Sequence, residues 1–145
     1  VEGHGITNVV FGHAGDGNFH VNPFLDLTDP AHFRLLPTIA GETARMLADA
    51  IHYPLYKIQY SETIYLSDEN ALIQVIKNID DSVNQAMLIG HNPGLTGLAN
   101  YIGDQRISNI PTGGVCCMDL EIASWKGIRE HGGLLRFFEF PKKHA

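Results

Sequence analysis
Residues 85–103, "QAMLIGHNPGLTGLANYIG", place an apolar run, a tight loop and a helix in direct succession. The run from Ala86 to Ile89 shows no polar alternation, as expected of an interior strand buried on both faces. Pro93 suits the opening of a helix, where its missing N–H removes no bond, and Gly103 suits its end. His91 therefore stands at the carboxyl end of a strand and just ahead of a helix. Open α/β sheets take their ligands outside the carboxyl ends of the strands. A helix N-terminus adds N–H donors and partial positive charge. His91, Asn92 and Gly94 are the candidate anion-binding residues. The competing reading of His91 is a capping or core histidine that meets no ligand.

The pattern extends outward on both sides. "GGVCCMDLEI" (113–122) and "GLLRFFEF" (133–140) read as two strands joined by a turn with Trp125 and Gly127. Upstream, "SDENALIQVIKNID" carries Ser67 as cap, acids in the first turn and an apolar face of Leu72, Val75, Ile76 and Ile79. This gives a helix over 68–79. A short strand is expected at 56–60. Over 28–50, Asp29 caps, Pro30 opens, and Phe33, Leu36, Ala40, Ala44 and Leu47 recur at helical spacing. Pro37 and Gly41 imply a kink or a late start there. Residues 6–13 read as a strand, "AGDG" (14–17) as a turn, and Phe19, Val21 and Phe24 as the return strand of a hairpin. Pro23 places that return strand at an edge. The fold class is α/β with an antiparallel edge. Leu88, Leu98, Val115, Leu120, Leu135 and Phe137 are the expected core.

Composition narrows the function. The chain has 145 residues, 44% hydrophobic and 18% charged, fitting one soluble domain. Its net charge of −6 argues against nucleic acid or an acidic membrane surface as partner. No apolar run reaches the ~20 residues of a membrane span, and no secretory signal is read. Cys116 and Cys117, adjacent in a strand, point to opposite faces and form no disulfide framework, which suggests a cytoplasmic setting. A start at Val1 rather than Met suggests a processed chain or an excised fragment.

Two resemblances follow from these motifs. "YLSDENALIQVIKNID", "MLIGHNPGLTGLANYIG", "NIPTGGVCCMDLEI" and "GLLRFFEFPKK" resemble, in order and spacing, the C-terminal part of SixA-type phosphohistidine phosphatases of the histidine phosphatase superfamily. The resemblance covers residues ~51–145. It implies a mixed sheet with flanking helices and phosphoryl-transfer chemistry. It also implies an N-terminal Arg-His-Gly nucleophile, a second arginine in Ser-x-x-x-Arg-Ala, and the "GHNP" histidine across the phosphate. Only the last is present, as His91. Arg34, Arg45, Arg106, Arg129 and Arg136 sit in neither arginine setting. The other resemblance is at residues ~1–50. "GHAGDGNFHVNPFLDLTDP" resembles the C-terminal domain of FAD-linked oxidases, the family of glycolate oxidase and D-lactate dehydrogenase. It implies that His13 and His20 come from a divalent-metal site completed by the glutamate of a "GEHG" string. The nearest string, "REHGG" (129–133), lies in the phosphatase-like part and reads as chance. The FAD-binding domain is absent, so no cofactor is expected.

The expectation is a single composite domain, 1–145, joined near residues 50–55. The first strand–helix unit of the phosphatase fold is replaced by the oxidase-like hairpin and helix. Stripped of nucleophile and arginines, the chain is expected to be catalytically silent, with weak phosphate binding at His91. One alternative is a residual phosphatase in which His13 stands in as nucleophile. It requires the hairpin to take the vacated strand position in the right direction and register. Another is a metal-binding module through His13 and His20. Self-association is expected, through open edges, apolar surface near Phe24 and Phe33, and segment exchange across the short 51–55 connection.

Overall fold
The computed structural model describes residues 6–13, 36–64 and 67–144, with side-chain surroundings from Ala40 onward. The expected return strand at 19–24 and the helix start around Asp29, Pro30 and Phe33 lie outside the described residues, as do Pro23, Phe24 and His20.

Among the described residues the sheet has four strands: β1 (Ile6–His13), β2 (Gln85–Gly90), β3 (Val115–Ile122) and β4 (Gly133–Glu139). Their order is β2-β1-β3-β4. β1 runs parallel to β2 and antiparallel to β3, and β3 runs antiparallel to β4. Among the described residues, three α-helices accompany it: α1 (Leu36–Ala50), α2 (Glu69–Lys77) and α3 (Gly94–Ile102). Among the described residues, no helix is long and apolar enough to cross a membrane.

Helical spacing builds the core. On α3, Leu95, Leu98, Ala99 and Ile102 fall at i, i+3, i+4 and i+7 and are all buried. They meet Leu72, Ile73 and Ile76 of α2 and the buried Cys116, Met118 and Leu120 of β3. Trp125, in the 3-10 turn between β3 and β4, is fully buried. Its backbone N–H donates to Asp81 Oδ1 and its indole N–H to the Val83 carbonyl, both at 2.9 Å. That tryptophan pins the entry to β2 against the β3–β4 connection.

Several expectations are corrected. β2 lies at an edge of the described sheet, with Met87 exposed, and the strand buried on both faces is β3, where Cys116, Cys117 and Met118 are buried in succession. An apolar run reports burial but not which neighbour supplies it. The cap of α2 is Asp68, whose carboxylate accepts the Ala71 N–H at 2.9 Å, while the Ser67 hydroxyl donates to the Thr63 carbonyl. No strand forms at 56–60: Pro54 leads into a 3-10 turn at Leu55–Lys57, and the following residues have no ladder partner. Phe137 is 41% exposed rather than core, and Val115 is half-buried. The cause is a register shift: Cys117 pairs with Phe137 but Met118 with Leu135, so Arg136 is passed over. The extra residue reverses the alternation, and Leu135 and Phe138 pack on the core instead.

Candidate functional site
Strand register assembles the site. Val10, Phe11, Gly12 and His13 face Met87, Leu88, Ile89 and Gly90 in turn. Parallel neighbours lie about 4.8 Å apart, so His13 ends β1 level with Gly90 and one residue short of His91. On the other side Gly12 faces Val115, which faces Glu139. The carboxyl ends of β1 and β2 thus share one rim of the sheet with the start of β3 and the end of β4. His13 and the GHNPG loop, distant in sequence, meet there.

His91 is half-buried, and its carbonyl accepts the Leu95 N–H at 3.3 Å. Asn92 is engaged on both sides of its amide. Its Nδ2 donates to Asn109 Oδ1 at 2.9 Å and to the Ile110 carbonyl at 2.5 Å. Its Oδ1 accepts from the Thr96 N–H at 3.2 Å and hydroxyl at 2.9 Å. Thr96 Oγ1 accepts the Ile110 N–H at 3.0 Å. Asn100 adds a reciprocal pair with Ile107. Asn92, Thr96 and Asn100 form a polar stripe, four residues apart, that ties α3 to the 107–110 loop. That stripe was present in the sequence as polar residues at i, i+4 and i+8 of an apolar helix. Gly94 is required by close approach: a Cβ there would collide with the Ser67 carbonyl oxygen. Asn92 and Gly94 therefore build the loop, and His91 is its side chain with chemistry to offer at the rim.

The remaining charged groups are distributed as follows. Arg136 pairs with Asp119 at 3.3 Å across β3 and β4. Arg129 lies in the β3–β4 connection and Arg106 follows α3, whose exit at Gly103 bridges Gly133. Both belong to the opposite end of the sheet. So does "REHGG": the His131 N–H donates to the Tyr101 carbonyl, and its Nδ1 meets the Gly103 carbonyl, each at 2.8 Å. β3 is eight residues long; at ~3.3 Å per residue, Glu130 stands roughly 20 Å or more from His13. It cannot complete a metal site with it. Among the described residues, no group of three or more His, Cys, Asp or Glu side chains could hold a metal ion. The thiols offer no nucleophile: burial, and then the neighbouring Cys117, push Cys116 up to about 12, and burial likewise raises Cys117.

The chain superposes on a candidate phosphohistidine phosphatase SixA of Nakamurella multipartitia with a TM-score of 0.62 at 12% identity, covering 92% of this chain and 95% of that one. A second candidate SixA, from Agrobacterium tumefaciens, gives 0.55 at 20% identity, covering 93% and 98%. The fold is that of SixA phosphatases. Residues 1–51 also match the family model of FAD linked oxidases, C-terminal domain. An uncharacterized protein of Mycobacterium leprae is 27% identical over 94 residues, which covers 59% of this chain and 58% of that protein. The chain thus spans less than two thirds of that relative. An oxidase-type segment and a SixA-type fold are combined in one chain, and the oxidase-type strand β1 lies inside the SixA-type sheet.

Proposed function
We propose that this chain is a recombined α/β protein that binds phosphate weakly at the His91 rim without efficient turnover. The observation that supports it is the register of β1 and β2, which levels His13 with Gly90 and so brings His13 to the same rim as the GHNPG loop. A ring N–H of His91 can donate to a phosphoryl oxygen. The N-terminal N–H groups of α3 contribute little directly, because those of Leu95, Thr96 and Gly97 are used within the chain. Phosphoryl transfer relies on positioning and on neutralising charge spread over three oxygens. Among the described residues, Arg106, Arg129 and Arg136 stand away from the rim, so none of these three supplies that neutralisation.

The same register supports a second reading, with His13 as nucleophile, because it sets β1 parallel to β2, while the rest of the expected hairpin lies outside the described residues. A ring nitrogen of His13 would attack phosphorus as the bond to the leaving group breaks. Water would then hydrolyse the phosphohistidine, returning inorganic phosphate and free imidazole. Two measurements separate the readings: titration with inorganic phosphate, and release of an aryl alcohol from an aryl phosphate. Binding without turnover, abolished by His91→Ala, supports the first. Turnover lost in both His13→Ala and His91→Ala supports the second. Absence of both phosphate binding and turnover overturns the two together. Zinc binding lost on His13→Ala would instead point to the metal module.

A further inference from the structure
We propose that the outer edge of β4 is closed by the chain itself, so that copies of the protein do not add strand to strand there. Among the described residues β4 ends the sheet, and the unpaired N–H and C=O groups of an edge strand are a template for another chain. Contacts from two separate segments occupy this edge. At its start, Gly103 bridges Gly133 in parallel, and Asp104 Oδ1 accepts the Leu135 N–H at 2.8 Å. Near its end, the Lys143 ammonium donates to the Phe138 carbonyl at 2.7 Å. Lys143 is held in place by Glu139 Oε1 at 2.8 Å, while His144 Nε2 meets the other carboxylate oxygen at 2.6 Å. The turn Pro141–His144 therefore folds back along the strand it follows. Pro141 braces it: a Cβ on Gly113 would stand 3.0 Å from the proline Cγ.

Only Arg136 and Phe137 remain between the two guarded groups, and that is where the ladder shifts register. A bulged gap of this length cannot seat a ladder. The guards matter because the strand is otherwise adhesive. Leu134 and Phe137 are 60% and 41% exposed, and the sequence "GLLRFFE" is apolar with few breakers. The occupant the guards exclude is β4 of a second copy.

The test uses the full chain with Asp104→Ala and Lys143→Ala combined, and a fluorescent peptide of residues 133–139 as probe. The expected result is Leu135 amide exchange and peptide affinity both raised about tenfold or more over wild type. Lys126→Ala, an exposed lysine elsewhere, should change neither. If the double variant does not fold, Lys143→Gln alone should raise peptide affinity by a smaller factor. Peptide binding equal to wild type in a folded variant, or tight binding by the wild type itself, overturns the proposal.

Discussion
At the scale of single residues, the GHNPG loop separates chemistry from construction. His91 stands at the rim, whereas Asn92 satisfies four polar groups at once. Asn92→Ala leaves these groups without their partner and should cost about 2–3 kcal/mol, measured by urea denaturation. Gly94→Ala should be worse, about 3 kcal/mol or more, because the Ser67 backbone must move to admit a Cβ. The buried thiols set an alkaline limit. Cys116 has its folded pKa raised from 9.0 to about 12, so the fold favours the neutral thiol. That contribution is fully present below pH 9 and is lost as pH rises from about 9 to about 12. Denaturation midpoints should fall across that window, and less so in Cys116→Ala. A midpoint that falls equally in both would exclude the thiol as the cause.

At the scale of elements, propensity placed the helices and strands, while details of their ends came from neighbours. Asp68→Ala should cost about 1 kcal/mol by thermal melting, since Asp68 caps α2. Trp125 looks like a turn residue in sequence, but it anchors the core and joins two connections through Asp81 and Val83. Trp125→Ala should cost about 3–5 kcal/mol. Trp125→Phe, which keeps most of the volume but leaves the Val83 carbonyl without its indole donor, should cost less. Equal losses in the two variants would show that the hydrogen bond, not the buried volume, dominates.

For the whole molecule, the surface around the join carries a group of exposed apolar side chains among the described residues. Met46, Ile51, Tyr53, Leu55, Tyr56 and Tyr60 are all exposed, Tyr56 to 85% and Ile51 to 64%, where residues 1–51 give way to the SixA-like remainder. Self-association is expected through this surface rather than through the guarded β4 edge. Sedimentation should show a concentration-dependent assembly, shifted toward the 16.0 kDa monomer by Ile51→Ser with Tyr56→Ser. A single 16.0 kDa species of the unaltered chain at every concentration would contradict it. Sequence by itself determined most of the described elements, though not the strand expected at 56–60, because a period of 3.6 or 2 and a Pro or Gly at an end act within a few residues. It also carried the two resemblances, through motifs as compact as "GHNPG" and "GDGNFH". It could not place β1 between β2 and β3, shift the phase of β4 at Arg136, or show that Asn92 faces inward to Ile110. Those were decided by tertiary structure, because strand neighbours and side-chain partners are chosen by contacts between segments far apart in the chain, whose energies no local pattern encodes.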